Sequence, residues 1–159
     1  MDDRSIKILV MDVDGTLTDG KIYMTESGEC MKAFNVRDGL GIHDILPVLG
    51  IIPVVMTGRK SEILARRCDE LGVKYLFQGV KNKKETLTGL LETLHISADE
   101  AAFIGDDIND LECMKLVKSS ACPADAVLKV KEAAGYICSS DGGQGAVREY
   151  IDCILTKDQ

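Results

Sequence analysis

The sequence predicts an α/β protein with a mostly parallel sheet and helices on both of its faces. The first observation is a series of short runs rich in β-branched and apolar residues, which are typical of buried strands. Four of these runs are strong and two are weaker: IKILVMDV (6–13), IPVVMT (52–57), KYLFQG (74–79) and AAFIGD (101–106), then SSACP (119–123) and YICSS (136–140).

Segments with helical periodicity separate the strand-like runs. Apolar residues three, four and seven positions apart mark three amphipathic helices. Their repeating positions are Leu64, Cys68 and Leu71; Leu87, Leu90, Leu91 and Leu94; and Val147, Tyr150, Ile151, Ile154 and Leu155. This alternation predicts a Rossmann-like, doubly wound sheet, which binds ligands beyond the carboxyl ends of its strands.

One segment, GKIYMTESGECMKAF at positions 20–34, breaks the alternation. It predicts a small β-hairpin with its turn at Ser27–Gly28. Ile22, Met24, Met31 and Phe34 put apolar residues on both faces of the hairpin, more than one buried face requires. At 159 residues the chain suits one domain, 1–159, with this hairpin as an insertion.

Composition narrows the class of partner. The net charge of −7 disfavours nucleic acid and anionic membrane surfaces. The opening MDDRSIK lacks the features of a signal peptide, and no apolar run is long enough to span a bilayer, so we expect a cytoplasmic protein. Six cysteines without a C-x-x-C pair predict reduced, mostly buried thiols, and two histidines give little support for a zinc site.

Acidic residues collect after two of the strong strands. Asp12 and Asp14 follow the first strand two positions apart, which predicts one shared face, and Gly15 allows a sharp turn after them. The segment IGDDIND adds Asp106, Asp107 and Asp110. Carboxylates from separate strands that meet at one point predict a Mg²⁺ site, because such a cluster otherwise repels itself. Asp107 is either a ligand or a helix cap.

Two other strand ends add groups that bind phosphate. Thr57 ends a strand with a hydroxyl beside the start of a helix, and Lys83 in GVKNKKE opens the helix after the next strand. A carboxylate nucleophile, a metal site, a hydroxyl and a cation are the parts needed to attack a phosphoryl group. Singly, each residue could be a turn former, a helix cap or a solvated charge; their order at successive strand ends favours the catalytic interpretation.

The sequence resembles the haloacid dehalogenase superfamily, whose motif D-x-D-G-T is DVDGT here. The Thr, Lys and G-D-D-x-x-D motifs of that family fall at Thr57, Lys83 and GDDIND, so the resemblance covers nearly the whole chain. It implies that Asp12 is the nucleophile and Asp14 the general acid and base. It also implies Mg²⁺ ligation by the carboxylates of Asp12 and Asp106 and the backbone carbonyl of Asp14. Asp110 is expected to orient Lys83 or a metal-bound water.

The segments NVRDGLGI, TGRK, FQG and GGQGAVRE resemble the small cap-less branch of this superfamily, which acts on phosphorylated 3-deoxy-2-keto sugar acids. That resemblance implies a small sugar phosphate as substrate, 3-deoxy-D-manno-octulosonate 8-phosphate ahead of a nonulosonate 9-phosphate. Gly58, Arg59 and Arg148 are then candidate substrate-binding residues. It also implies a homotetramer in which the hairpins pack together and the C-terminal tail reaches a neighbouring site.

Two functions of other classes have similar ingredients. A phospho-accepting signalling domain is also doubly wound and carries an acidic pocket with Thr and Lys. Such domains, however, have two adjacent acids after the first strand and the acceptor Asp after a later one, whereas D-x-D-G-T follows the first strand here. A catalytically silent oligomerisation module of the same superfamily would not need to retain Asp12, Asp14, Thr57, Lys83 and Asp106. The sequence therefore favours an enzyme.

Overall fold

The computed structural model describes residues 6–155, with side chains described through residue 153. The strands in chain order are β1 (Ile8–Met11), β2 (Tyr23–Thr25), β3 (Gly28–Met31), β4 (Ile52–Met56), β5 (Tyr75–Phe77), β6 (Ala101–Ile104), β7 (Ser119–Cys122) and β8 (Tyr136–Ile137). The α-helices are α1 (Val36–Leu40), α2 (Leu46–Val48), α3 (Glu62–Glu70), α4 (Lys83–Leu94), α5 (Leu111–Leu116), α6 (Leu128–Ala133) and α7 (Ala146–Tyr150). The packing expected of Ile154 and Leu155, and the chain ends at 1–5 and 156–159, lie outside this description.

Short non-α turns join or extend several helices. A π-helical turn, Gly41–Ile45, connects α1 to α2, and a second one, Ile151–Leu155, follows α7. Turns of 3-10 helix precede β6 and α5, at Ala98–Glu100 and Ile108–Asp110. The second of these lies at the carboxyl end of β6 and shapes the acidic segment described below.

Six strands form one parallel sheet in the order β5-β4-β1-β6-β7-β8. The central strand β1 pairs with β4 on one side and with β6 on the other, with Val10 opposite Val54 and Phe103. All six strand-like runs of the sequence are therefore strands, and the predicted doubly wound parallel architecture is confirmed. Strands are added on one side of β1 (β4, β5) and then on the other side (β6, β7, β8). Because the strands are parallel, the carboxyl ends of β1, β4 and β6 lie next to one another at one edge of the sheet.

Side chains alternate between two apolar layers, one on each face of the sheet. From β1, Leu9 and Met11 enter the layer that includes α3 and α7, whereas Ile8 and Val10 enter the layer that includes α4, α5 and α6. The four residues of β1 are fully buried, as expected for a central strand covered by helices on both faces. This packing fixes β1, and with it the residues that follow.

The hairpin forms a separate two-stranded antiparallel sheet, β2 and β3. Its turn is at positions 26–27, one residue earlier than predicted, because Gly28 already begins β3. Met24 and Met31 are 60% and 50% exposed. Phe34 differs from the prediction, since it packs against the protein's own core and lies under the Arg67 guanidinium, 5.7 Å from the ring centroid.

Helix caps set where the site-bearing helices begin. Ser61 accepts a hydrogen bond from the Leu64 amide at the start of α3, and Asn82 accepts one from Glu85 at the start of α4. Because Asn82 is the cap, Lys83 becomes the first residue of α4 and lies beside the sheet edge. Lys83 therefore opens a helix, as the sequence predicted.

None of the helices in residues 6–155 combines the length and the hydropathy needed to cross a membrane. The six cysteines, all within that range, form no disulfide, and four of them are buried. Burial raises the thiol pKa of Cys68 and Cys122 to about 11 and of Cys113 and Cys138 to about 12. The prediction that most of the cysteines are buried agrees with these positions.

Candidate active site

Asp12 follows β1 directly and is buried. Its amide continues the ladder to β6 with a 3.0 Å hydrogen bond to the Ile104 carbonyl. The chain then turns tightly, because the Val13 carbonyl accepts hydrogen bonds from the amides of Thr16 and two following residues. Asp12 and Asp14 therefore both lie beyond the strand, rather than sharing a strand face as predicted, and they meet different partners.

Lys83 joins Asp12 to Asp110 inside the site. Its Nζ lies 2.7 Å from Asp12 Oδ1 and 2.7 Å from Asp110 Oδ1, and all three side chains are at least nine-tenths buried. Burial lowers the pKa of the Lys83 ammonium, but the charges of Asp12 and Asp110 outweigh that effect and the net direction is upward. Lys83 is therefore charged at neutral pH.

Asp110 is occupied on both oxygens. Oδ1 accepts from Lys83, and Oδ2 accepts from the amides of Asp106 and Asp107 at 3.0 and 3.2 Å. Burial, followed by the Asp12 charge, raises the pKa of Asp110 to about 6. Of the two roles expected for Asp110, these contacts fit the orientation of Lys83 rather than of a metal-bound water, and Asp110 also holds the 105–110 loop.

Asp106 approaches the DVDGT loop closely. Its Oδ1 accepts a 3.1 Å hydrogen bond from Thr16 Oγ1, and a Cβ on Gly15 would lie 2.0 Å from its Oδ2. Gly15 also has a φ of +92°, a conformation that favours glycine. Burial, followed by the hydrogen bond and the charge of Asp12, raises the pKa of Asp106 to about 9. The fold therefore holds the carboxyl groups of Asp106 and Asp12 close to each other.

A divalent cation fits this cluster. Carboxylate oxygens of Asp12, Asp106 and Asp110 all lie within 4.8 Å of one another, and Lys83 is the cation that lies among them. When all three carboxyl groups are ionised, they and the one ammonium leave two negative charges, which Mg²⁺ would neutralise with oxygen ligands of the kind it prefers. Because Asp110 is already fully hydrogen-bonded, the side chains of Asp12 and Asp106 are the better ligands.

The side chain of Asp107, another candidate metal ligand in the sequence, is not part of the cluster that Asp12, Asp106 and Asp110 form. It is exposed, and its Oδ1 accepts a 2.7 Å hydrogen bond from the Ile108 amide. Asp107 thus caps the 3-10 turn Ile108–Asp110. Of the two possibilities that the sequence left open, the geometry favours the cap.

Asp14 lies at the mouth of the site, bound to the hairpin. Lys32 Nζ lies 2.8 Å from Asp14 Oδ1, and Arg59 Nε lies 3.9 Å from Asp14 Oδ2. Lys32 also lies 2.9 Å from Glu29 Oε1. No sequence motif marks Lys32 or Glu29, so neither could be identified as a site residue from the sequence.

Thr57 and the two residues after it lie at the end of β4. Thr57 is buried, its amide donates to the Phe77 carbonyl at 2.9 Å, and its Oγ1 accepts from the Arg59 amide at 3.4 Å. Gly58 and Arg59 are exposed beside it. The structure therefore brings together a hydroxyl and an accessible guanidinium, as the TGRK segment suggested.

The side chain of Arg148, which the sequence predicted to bind substrate, contacts other residues of its own chain. Its Nε donates to both Asp152 oxygens at 2.8 and 3.0 Å, and its Nη1 donates to the Arg37 carbonyl at 3.4 Å. The Arg148 amide donates to Asp38 Oδ1. These contacts do not reach Asp12, so the structure does not bring Arg148 to the strand-end cluster.

The glycine-rich DGGQG segment instead supports the DVDGT loop directly. The Gly143 amide donates to the Thr16 carbonyl at 3.1 Å, and a Cβ on Gly142 would lie 1.9 Å from the Gly15 carbonyl oxygen. Only glycine allows this approach of two backbones. The two adjacent glycines are the sequence signal that identifies this contact.

Comparison with known proteins gives a consistent result. Residues 75–151 match a family model for haloacid dehalogenase-like hydrolases. The 3-deoxy-D-manno-octulosonate 8-phosphate phosphatase KdsC of Escherichia coli K12 is 44% identical over 152 residues, which cover 96% of this chain and 80% of that protein. The Haemophilus influenzae KdsC is 41% identical, covering 96% and 84%.

Solved structures agree with the sequence relatives. The cobalt-bound deoxy-D-mannose-octulosonate 8-phosphate phosphatase of Haemophilus influenzae superposes with a TM-score of 0.92 at 41% identity, covering 96% of this chain and 89% of that one. The Moraxella catarrhalis 3-deoxy-D-manno-octulosonate 8-phosphate phosphatase, in complex with magnesium, phosphate and KDO, also has a TM-score of 0.92, at 38% identity, covering 96% and 87%.

Proposed function

This chain belongs to the haloacid dehalogenase-like hydrolases and is a phosphatase, and we propose that it hydrolyses 3-deoxy-D-manno-octulosonate 8-phosphate with Mg²⁺ as its cofactor. One observation carries the proposal. Asp12 is a buried carboxylate at the end of the central strand, held by Lys83 on one oxygen and placed beside Asp106. Relatives that match almost the whole chain are named for this substrate.

The reaction divides into two transfers at phosphorus. The Asp12 carboxylate attacks the phosphorus atom, the bond from phosphorus to the sugar oxygen breaks, and Asp14 gives its proton to that oxygen. Water then attacks the phosphorus of the aspartyl phosphate and gives its proton to Asp14, which releases inorganic phosphate and restores Asp12. Asp14 is therefore acid in the first step and base in the second.

The other residues hold the phosphoryl group. Lys83 and Thr57 lie at two neighbouring strand ends, where an ammonium and a hydroxyl would bind phosphoryl oxygens in a largely buried site. Asp12 and Asp106 would hold Mg²⁺, whose positive charge would offset the negative charge that develops on those oxygens. Asp110 keeps Lys83 aimed at Asp12 through its 2.7 Å hydrogen bond.

The substrate carries a carboxylate as well as a phosphate. Arg59 is 46% exposed beside Thr57, so its guanidinium is accessible to that carboxylate, and Gly58 leaves room for the approach. Arg148 contacts Asp152 in its own subunit, so we place its substrate contact across a subunit boundary, where the tail of a neighbour would meet the site. The alternative nonulosonate 9-phosphate is not favoured, because the relatives reported above act on the octulosonate.

We propose further that the chain is one domain that assembles as a homotetramer in the cytoplasm. The exposed side chains of Met24 and Met31 on the hairpin support assembly, because a second hairpin could bury them. Light scattering of the protein at micromolar concentration tests this: the mass of four chains is expected, and Met24→Asp should reduce it. A parent protein with the mass of one chain would contradict the assembly.

A panel of substrates tests the proposed function. Phosphate release is measured with 3-deoxy-D-manno-octulosonate 8-phosphate, a nonulosonate 9-phosphate, a hexose phosphate and a phosphopeptide, each with Mg²⁺. The octulosonate should give the highest kcat/KM. A tenfold preference for the nonulosonate would overturn the substrate assignment, and a preference for the phosphopeptide would overturn the substrate class.

A further inference from the structure

Lys32 connects the hairpin to the catalytic acid. It lies one residue beyond β3, and its side chain is only 2% exposed. Its ammonium group lies 2.8 Å from Asp14 Oδ1 and 2.9 Å from Glu29 Oε1. Burial lowers the Lys32 pKa, but the interactions with the carboxylates of Asp14 and Glu29 outweigh it, so the net direction is upward and the lysine is charged.

Arg59 closes this group into a ring of alternating charges. Its Nε lies 3.9 Å from Asp14 Oδ2, and its guanidinium also lies 3.9 Å from Glu29 Oε2. The two cations differ in accessibility, since Arg59 is 46% exposed while Lys32 is enclosed. Arg59 can therefore leave the ring to bind a substrate, whereas Lys32 stays in place.

Asp14 depends on this ring for its orientation. It lies in the turn after β1, where no strand ladder restrains it. Within residues 6–155, the short contact to its carboxylate is the one from Lys32, and Arg59 adds a longer one. A general acid has to face the leaving oxygen within hydrogen-bonding distance, so loss of its orientation costs rate.

We propose that Lys32 is a positioning residue for the proposed phosphatase reaction: it holds Asp14 through Oδ1 so that Oδ2 faces the leaving oxygen of the substrate. Lys32 itself does not touch the substrate. Because Glu29 balances the charge of Lys32, the pair fixes Asp14 without adding net positive charge beside it. This inference rests on the proposed function and extends it to the hairpin, which thereby takes part in catalysis.

The test depends on the leaving group. The leaving group of an alkyl phosphate is a poorly stabilised alkoxide, so its departure needs the proton from Asp14. The leaving group of 4-nitrophenyl phosphate is a stable phenolate, which departs without that proton. We therefore compare Lys32→Met with the parent protein on 4-nitrophenyl phosphate and on the alkyl phosphate that the parent hydrolyses best. Lys84→Met is the matched control, because it removes an exposed lysine paired with Glu112 at 3.4 Å.

Lys32→Met should lower kcat/KM on the alkyl phosphate by roughly 100-fold or more, the range of a general acid, and change kcat/KM on 4-nitrophenyl phosphate by less than about fivefold. We compare kcat/KM because it ends with departure of the leaving group and excludes the later attack of water, in which Asp14 is the base on both substrates. Lys32→Arg, which keeps a cation near Asp14, should recover much of the alkyl phosphate rate. Lys84→Met should match the parent on both substrates.

Equal losses of kcat/KM on the two substrates would show a merely structural role and overturn the proposal, as would the absence of any loss of kcat/KM. If Lys32→Met unfolds below the assay temperature, the polar variant Lys32→Gln carries the same comparison. A failure of the substrate assignment is distinguishable, because the alkyl phosphate is chosen by the parent's activity and need not be the octulosonate.

Discussion

Lys83 Nζ lies 2.7 Å from Asp12 Oδ1 and 2.7 Å from Asp110 Oδ1, so one ammonium group from α4 joins the ends of β1 and β6. Asp110 in turn accepts hydrogen bonds from the amides of Asp106 and Asp107. The position of Asp12, the proposed nucleophile, and the shape of the 105–110 loop therefore depend on the same lysine. This coupling explains why a lysine is needed at the first position of α4.

Removing that lysine should affect both stability and activity. Lys83→Met leaves Asp12 and Asp110 buried without their counter-ion, which typically costs about 3 to 5 kcal/mol. Urea unfolding measures the loss of stability, and phosphate release should fall by at least about 100-fold. Lys84→Met, which breaks only an exposed ion pair, should cost less than about 1 kcal/mol. Equal stability of the two variants would contradict the coupling.

Gly15 makes room for Asp106. In Gly15→Ala the new Cβ would lie 2.0 Å from Asp106 Oδ2, so the carboxylate must move out of its place beside Asp12. We expect a strong rise in the Mg²⁺ concentration needed for activity, together with a loss of kcat. Gly50→Ala is the matched control: it has a similar positive φ, +71°, but open space around its Cβ. If both variants needed the same Mg²⁺ as the parent, the close approach would be irrelevant to metal binding.

The two neighbouring aspartates of the 105–110 loop should differ in metal binding. Asp106→Asn removes one carboxylate of the cluster and should weaken Mg²⁺ binding at least tenfold. Asp107→Asn keeps an oxygen that can cap Ile108 and should leave Mg²⁺ binding within about threefold. Calorimetric titration with Mg²⁺ measures both, and a greater effect at Asp107 would reverse the assignment.

The main features of the fold follow from the sequence because local patterns determine them. The alternation of apolar strands with periodic helices predicts a doubly wound sheet. That topology brings four site residues to one edge of the sheet: Asp12, Thr57, Lys83 and Asp106. Their convergence could therefore be predicted from order alone, before any side-chain geometry was known.

Other features depend on how the chain folds back on itself. The contact of Lys32 with Asp14 depends on the approach of the hairpin to the loop, which no local pattern encodes. Phe34 looked like part of an exposed hairpin face, but the chain has already turned into the core by that point. The orientation of Arg148 is decided by Asp152, one helical turn away. These three side-chain contacts depend on tertiary structure, and the spacing of residues in the sequence does not determine them.

Asp38 should make stability depend on pH. It is buried at the start of α1, accepts a hydrogen bond from the Arg148 amide on Oδ1, and within the described residues has no hydrogen-bond donor to Oδ2. Burial raises its pKa from 3.8 to about 6, against the opposing effect of Arg148 and Arg67. The folded state therefore keeps a proton that the unfolded state loses, and stability falls as pH rises from about 4 to about 6.

Asp38→Asn removes this dependence, because the amide does not ionise and still offers an oxygen to the Arg148 amide. Urea unfolding from pH 4 to pH 8 measures the difference between variant and parent, which cancels the other titrating groups. The variant should gain stability relative to the parent as pH rises through that window, by at most about 3 kcal/mol at about 1.4 kcal/mol per pH unit. A difference that stays constant with pH would contradict the buried, ionising carboxyl.

The central claim is that Asp12 is the nucleophile of a phosphatase. Asp12→Asn tests it most directly, because the amide keeps an oxygen for Lys83 and so preserves the fold, yet is a poor nucleophile. Phosphate release from 3-deoxy-D-manno-octulosonate 8-phosphate should fall by about 10⁴-fold or more, with the thermal midpoint at or above that of the parent. Activity within tenfold of the parent would contradict the account.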